Sequence, residues 1–174
     1  LLKDALNDDP ANMNNSLLLS NLGTIQRRMG KNKDALESYT LALNKTPNSI
    51  KMLLNRASLY LEMDYLSKAY GDYCSVIDLD PENVEALQFR AYIYMRQRQY
   101  NDARNDYHTL LETEPGNRTA RIGMVMANQK DKRFREALEE LNRMITDYPQ
   151  DASLLKARAE LEVDMNSMDL ALLD

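Results

Sequence analysis

Cys74 and His108 are the only cysteine and the only histidine in the 174 residues, so they form the only pair that could act as a thiolate nucleophile and its base. Such a dyad requires side chains within about 3 Å of each other. Each residue lies seven positions before a proline, Pro81 or Pro115, which gives both the same phase in one periodic pattern. Helices carrying equivalent residues pack roughly 10 Å apart. The spacing therefore predicts no catalytic dyad.

Other kinds of chemistry leave equally little signal in the sequence. One cysteine excludes an intrachain disulfide framework, and one cysteine with one histidine argues against a structural zinc site. The five glycines form neither GxGxxG nor GxxxxGK, so no phosphate-binding loop is predicted. The net charge of −5 offers no field that attracts nucleic acid. We predict that the chain is not an enzyme and has no catalytic residue, no metal, no cofactor and no nucleic-acid partner.

The sequence carries no positive signal for a particular cellular compartment. No stretch approaches the roughly 18 uninterrupted apolar residues of a membrane helix, so we predict no direct membrane insertion. No secretory leader is visible, which makes cytoplasmic localisation the default expectation. Because the chain starts at Leu1 rather than Met, a leader ahead of it would make it periplasmic or exported.

The prolines reveal an internal repeat. They occur at positions 10, 47, 81, 115 and 149, and the last four are 34 residues apart. A fixed period of this length is typical of helical repeats. Twelve residues before these four prolines come small residues, and eight before them come large ones: Ala35, Ala69, Ala103 and Ala137, then Tyr39, Tyr73, Tyr107 and Leu141. In the second repeat, one set of apolar residues lies at helical spacing before Asp64 and another set after it, which predicts two helices per repeat: Leu53, Ala57 and Tyr60, then Leu66, Ala69, Tyr70, Tyr73, Val76 and Ile77.

Helix ends follow the same period. Short polar residues that favour helix N-caps come two positions after each regular proline: Ser49, Asn83, Asn117 and Asp151. Asn15 holds the matching place before the first repeat. The breaks between the two helices of each repeat are expected near Gly30, Asp64, Arg98, Lys132 and Asn166. We therefore expect helix-turn-helix units.

This pattern resembles the tetratricopeptide repeat (TPR) family, whose motif places a large residue, Leu-Gly, Tyr, Ala, an aromatic residue and Pro over 34 positions. The second repeat matches it with Leu53, Ala57, Tyr60, Ala69, Tyr73 and Pro81. The first departs at Gln26, and the fourth at Arg121 and Asn128. The resemblance implies an all-α, right-handed superhelical solenoid with about four complete repeats and a partial unit at each end.

The repeat register predicts the domain boundaries. Residues 1–15 are predicted to contain a partial repeat, which is the end of a second helix, and a joint to the first complete repeat. Three extra residues loosen this joint. The complete repeats are 16–49, 50–83, 84–117 and 118–151, and residues 152–174 form a partial fifth repeat. Because repeat arrays usually carry polar caps at their ends, these partial units suggest a fragment of a longer array.

The resemblance also implies where a partner binds, since first helices of the family line a concave groove. Carried onto this chain, that groove has a basic first end, an apolar and aromatic middle and a mixed acidic far end. The groove residues are predicted to be Asn21, Leu54, Asn55, Leu61, Gln88, Phe89, Tyr92, Met95, Ile122 and Met126. An exposed apolar strip of this kind usually marks an interaction site.

The function implied is a non-catalytic protein-protein interaction scaffold that holds a peptide segment or helix of another protein. Two alternatives stay open: a docking or regulatory arm of a larger multidomain protein or enzyme, and a self-assembly module forming a homo-oligomer through its apolar ends. A TPR subclass grips acidic chaperone C-termini with Lys, Asn and Arg side chains. At the matching positions Ser20, Thr24, Asn55, Glu85 and Phe89, only Asn55 agrees, so the resemblance implies that this clamp is absent.

A second recurring pair predicts an internal contact. Three repeats have arginine where the family has leucine, and the same three have aspartate sixteen residues later: Arg56, Arg90 and Arg158, with Asp72, Asp106 and Asp174. The repeats with Leu22 or Met124 at the first position have Ser38 or Glu140 at the second. Because the two positions change together, we expect an ion pair that stabilises each repeat.

Overall fold

The computed structural model describes residues 13–171. Within this range the chain forms nine α-helices and no strand, which confirms the all-α class. The helices are α1 (Met13–Arg28), α2 (Asn32–Lys45), α3 (Ile50–Glu62), α4 (Leu66–Leu79), α5 (Val84–Arg96), α6 (Tyr100–Thr113), α7 (Arg118–Lys130), α8 (Phe134–Asp147) and α9 (Ala152–Ala171).

Three-residue turns join the two helices of each pair, at four of the five predicted breaks. One residue in each turn has a left-handed backbone: Gly30 (φ 74°), Asp64 (59°), Arg98 (61°) and Lys132 (61°). The next residue closes the turn by donating back to the preceding helix, as the Tyr65 N–H does to the Tyr60 carbonyl at 2.8 Å. This hydrogen bond pattern ends helices and offsets the cost of a left-handed conformation at residues other than glycine.

Four-residue loops containing the regular prolines separate one pair from the next, and the predicted N-caps follow those prolines. The Ser49 hydroxyl accepts from Met52 N–H, and the side-chain Oδ1 of Asn117 accepts from Ala120 N–H. Asn83 and Asp151 cap α5 and α9 in the same way. All four predicted caps are therefore confirmed.

Two expectations near the ends are wrong. Asn15 lies inside α1 rather than ahead of it, since α1 already begins at Met13. The break expected near Asn166 is absent, because α9 continues to Ala171 through a segment without Gly or Pro. The predicted second helix within residues 1–10 and the apolar end at residues 172–174 lie outside the described residues. The proposed repeat boundaries remain predictions.

The chain divides into two compact units, which we call unit 1 (Leu1–Phe89) and unit 2 (Arg90–Asp174). In unit 1 the recurring residues Ala35, Tyr39, Ala69 and Tyr73 are all buried. In unit 2 the corresponding Ala103, Tyr107, Ala137 and Leu141 are buried as well, and Leu141 belongs to a core cluster with Val125, Met144, Leu154 and Leu161. The small residues let paired helices approach, and the large residues fill the space between helices.

Candidate protein-binding site

Six of the predicted groove residues belong to unit 1. Asn21 and Phe89 are exposed, whereas Leu54, Asn55, Leu61 and Gln88 are half-buried. Phe89 stacks on Tyr73, with ring centroids 5.6 Å apart and planes 16° from parallel, and this leaves 38% of Phe89 exposed. The stack completes the burial of Tyr73, whose pKa is raised above its ordinary value mainly by burial.

One arginine of the predicted basic end of the groove, Arg27, forms an ion pair within unit 1. The Arg27 guanidinium donates to the Glu62 carboxylate, with Nε 3.0 Å from Oε2, and to the Ser58 hydroxyl at 2.8 Å. The hydrogen bond to Glu62 raises the pKa of Arg27. Nearby, the Thr24 and Tyr39 hydroxyl oxygens are 3.0 Å apart. Arg27 therefore bridges α1 to α3 and covers the surface between them.

Three predicted groove residues of unit 2, Tyr92, Met95 and Met126, line one cleft with a volume of about 510 Å³. We call it the unit 2 cleft; α5, α6, α7 and the turn after α5 form it. Its lining residues are Tyr92, Met95, Arg96, Arg98, Tyr100, Tyr107, Met126 and Lys130. Tyr92 and Met126 remain 44% and 48% exposed. Ile122 instead packs, half-buried, against the core of unit 2.

Gly123 is the residue that makes room for the cleft wall. A Cβ atom at Gly123 would lie only 2.3 Å from Cζ of Tyr107, which is too close for any side chain. The Tyr107 ring therefore lies directly against the α7 backbone, with only 7% of the residue exposed. Its burial, and then the Asp106 charge, raise the pKa of Tyr107 to about 12, so the hydroxyl stays protonated at neutral pH.

The unit 2 cleft has a cationic rim. Arg96, Arg98 and Lys130 line it, and the described residues that line the cleft include no acid. Arg96 lies on Tyr92, with Cζ 5.9 Å from the ring centroid, and its Nη1 donates to the Tyr92 hydroxyl at 3.0 Å. This contact holds one cation beside an exposed aromatic ring.

The predicted Arg–Asp pairs are confirmed in both units. In unit 1, Arg56 binds Asp72 through two hydrogen bonds, Nε to Oδ2 at 2.8 Å and Nη2 to Oδ1 at 2.7 Å. In unit 2, Arg90 binds Asp106 in the same way, at 2.9 and 2.7 Å. Each guanidinium also lies 5.8 Å from the centroid of a tyrosine four residues later, Tyr60 or Tyr94. The third partner, Asp174, lies outside the described residues.

The repeats without this pair use other contacts at the same place. The Ser38 hydroxyl donates to Gln26 Oε1 at 2.7 Å, and Glu140 accepts from Nε of Arg121 at 2.6 Å. Arg104, which the sequence analysis missed, is buried and donates to Asn128 and Asp131. The departures from the repeat pattern at Gln26, Arg121 and Asn128 were therefore signals of substitute hydrogen bonds.

Cys74 belongs to unit 1 and His108 to unit 2. His108 is exposed and 3.5 Å from Glu112 on its own helix, whereas Cys74 is half-buried on α4. Within residues 13–171, no cluster of His, Cys, Asp and Glu could hold a metal ion. None of the helices in this range combines the length and apolarity needed to cross a bilayer.

Helix pairs, left-handed turns and a cleft on first helices together define a helical-repeat protein of the kind that binds other proteins. Family profiles described as Tetratricopeptide repeat match residues 18–51 and residues 94–161. The chain belongs to the tetratricopeptide repeat family and is an all-α repeat solenoid that serves as a protein-interaction scaffold. This family is generally non-catalytic.

Solved structures agree with this assignment. The chain is 38% identical to a tetratricopeptide repeat protein from Parabacteroides merdae, over 99% of this chain and 67% of that one, with a TM-score of 0.80. MamA from Desulfovibrio magneticus is 15% identical, over 90% of this chain and 89% of its own, with a TM-score of 0.78. The first TPR of Spaghetti (RPAP3), bound to the HSP90 peptide SRMEEVD, is 24% identical, over 68% and 94%, with a TM-score of 0.62. Comparison with curated proteins finds no match.

Proposed function

We propose that the unit 2 cleft binds a peptide segment of a partner protein, with Tyr92 and Met126 as the residues that contact its apolar anchor. The observation that carries this proposal is the cleft itself, about 510 Å³ in volume and lined by exposed aromatic and thioether side chains. Pockets for small ligands commonly have volumes between roughly 300 and 1,000 Å³. A volume in this range accommodates a large side chain together with part of its backbone.

The side chains around the cleft suit this role. Tyr and Met are among the residue types enriched in the cores of interfaces, and Met adapts its shape to different partners. The hydrogen bond from Arg96 already orients the Tyr92 side chain, so Tyr92 loses little conformational entropy when a partner binds. Tyr107 and Met95 supply further apolar surface deeper in the cleft.

The Spaghetti module bound to an HSP90 peptide is a precedent for peptide binding by a protein of this fold. At 24% identity only the fold carries over. The chain also lacks the cations of the clamp that grips acidic C-termini, since only Asn55 agrees with it. At the corresponding places in unit 1, Ser20 is buried and Thr24 bonds with Tyr39. The proposal therefore concerns the unit 2 cleft and not a terminal-carboxylate clamp.

The test uses a displayed library of short random peptides selected on the intact chain. Peptides that bind are synthesised, and their Kd values are measured by fluorescence polarisation on wild type and on the Tyr92→Ala, Met126→Ala double variant. Truncating aromatic anchors commonly costs about 2 kcal/mol, so we expect Kd to rise roughly tenfold or more. Helical content and the unfolding midpoint should hold, because both side chains are about half exposed.

The matched control is the Tyr65→Ala, Met29→Ala double variant in unit 1. Tyr65 is 44% exposed and Met29 is 62% exposed, so this variant removes the same two side-chain types from surface positions. Its Kd should equal that of wild type. Equal affinities for the cleft variant and the control would refute the proposed site.

A further inference from the structure

We infer that the segment bound by the unit 2 cleft is an acidic peptide in which Asp or Glu side chains flank one bulky apolar residue. This inference rests on the proposed function and adds the chemistry of the partner to it. It follows from the charge of the residues that line the cleft, which is positive although the net charge of the chain is −5.

The charge argument starts from the rim. Three cations, Arg96, Arg98 and Lys130, line a cleft whose described lining contains no acid, in a chain whose net charge is −5. A local excess of positive charge steers and orients an anionic partner.

The position of each cation supports recognition along an extended segment. Arg96 and Lys130 end α5 and α7, and Arg98 lies in the turn after α5, where its left-handed backbone fixes the start of its side chain. The three charges therefore come from three separate elements around one apolar centre. Because Arg98 and Lys130 come from different elements, we expect one acid for each of them beside the anchor.

The apolar part of the cleft sets the second requirement. Tyr92, Met95, Tyr107 and Met126 supply rings and thioethers, which favour an aromatic or large aliphatic side chain. A polyanion without such a side chain would leave this surface uncovered. A cationic rim beside an apolar centre therefore favours an acidic peptide over nucleic acid. The net negative charge of the chain also repels nucleic acid.

The experiment uses the intact chain and three blocked synthetic peptides of equal length. The first has a central Phe flanked by Glu residues, the second replaces every Glu by Gln, and the third replaces Phe by Ala. Because both ends are blocked, no terminal carboxylate contributes. Wild type should bind the first peptide at least roughly tenfold more tightly than either of the others, and the difference from the Gln peptide should shrink as salt rises.

The charge-reversal variant Arg98→Glu, Lys130→Glu should weaken binding of the Glu–Phe peptide by roughly tenfold or more. Its control, Lys132→Glu with Arg135→Glu, changes the net charge equally and includes one left-handed turn residue, but lies outside the cleft lining. That control should shift Kd by less than about twofold, as expected for a screened charge. Circular dichroism of all variants establishes that they remain folded.

Two results would overturn the inference. One is equal affinity of wild type for the Glu and Gln peptides. If binding still depends on Tyr92 and Met126 in that case, the inference about charge fails but the proposed site does not. The other is binding of a single-stranded oligonucleotide of matched charge as tightly as the Glu–Phe peptide, since the cleft would then recognise charge alone. If binding of every peptide is unaffected by the Tyr92→Ala, Met126→Ala variant, the proposed function itself fails.

Discussion

Units 1 and 2 have the same helical framework, but the side chains at one set of equivalent positions differ between them. In unit 1, Arg27 reaches across from α1 to Ser58 and Glu62 of α3, 31 and 35 residues later. In unit 2 the equivalent residues, one 68-residue shift along the chain, are Met95, Met126 and Lys130. The hydrogen-bonded bridge of unit 1 therefore corresponds to part of the lining of the unit 2 cleft.

A second pair of equivalent positions strengthens the comparison. Sixteen residues after Tyr73 comes Phe89, which stacks on it, whereas sixteen residues after Tyr107 comes Gly123, which has no side chain. An aromatic pair covers the surface in unit 1, and a glycine lets Tyr107 approach the backbone in unit 2. The comparison teaches that the same family framework can leave a cleft open or covered, and that a few side chains decide which.

The largest effect should come from the feature that the two units share, the Arg–Asp pair. Removing one member of a buried ion pair typically costs about 3–5 kcal/mol. The side chains of Arg90 and Asp106 are 19% and 6% exposed. Because Arg90 keeps some contact with water, we expect Arg90→Ala to lower the free energy of unfolding by about 2–4 kcal/mol, measured by urea denaturation.

Arg56→Ala should cost a similar amount in unit 1, since Arg56 makes the same two hydrogen bonds to Asp72. The double change Arg90→Leu, Asp106→Ser should recover much of the loss because it reproduces the residue types of the first repeat. Arg27 is unsuitable as a control because it binds Glu62, so the exposed Arg135→Ala serves instead. Equal losses for Arg90→Ala and Arg135→Ala would rule out a stabilising pair.

An intermediate effect should separate the glycines of the two units. Gly123→Ala places a Cβ atom within 2.3 Å of the Tyr107 ring, so the ring must shift, at a cost of about 1–3 kcal/mol for an overpacked site. Gly71→Ala in α4 meets nothing within 4 Å and should instead stabilise the protein by about 0.5–1 kcal/mol, because alanine favours the helix. Thermal unfolding of both variants measures the difference. If both substitutions stabilise the protein, Gly123 is not what admits the Tyr107 ring.

The smallest effect on stability should come from transferring the Arg27–Glu62 bridge of unit 1 into unit 2. This change is also the most direct test of the difference between the two units. Met95→Arg with Lys130→Glu reproduces the Arg27–Glu62 pair at the equivalent place. We expect the new pair to cover the unit 2 cleft and to raise the Kd of its peptides roughly tenfold, about 1.4 kcal/mol. The unfolding midpoint should change little, because surface ion pairs contribute at most about 1 kcal/mol. Undiminished peptide affinity would show that the bridge does not close the site.

Much of the fold could be predicted from the sequence because its decisive interactions are local or repeat with the same period. Caps at Ser49 and Asn117 follow from short polar side chains placed two residues after a proline, and the turns follow from the interruption of each apolar pattern. Four predicted breaks were confirmed, even where the left-handed residue is Arg98 or Lys132, side chains that rarely adopt this conformation. The uninterrupted α9 was missed, because the repeat pattern continues in its sequence although the chain contains nothing there that breaks a helix.

The sequence by itself determined the repeat, the family, the caps and the Arg–Asp pairs, since a residue type that recurs or changes in step across repeats reports a contact within the repeat. It also identified Tyr92, Met95 and Met126 as candidates. Only the tertiary structure brought these residues together with Arg98, Tyr100, Tyr107 and Lys130 in one cleft. The physical reason is that a cleft depends on which side chains fail to fill a space shared by several helices, and no single position or spacing records that joint shape.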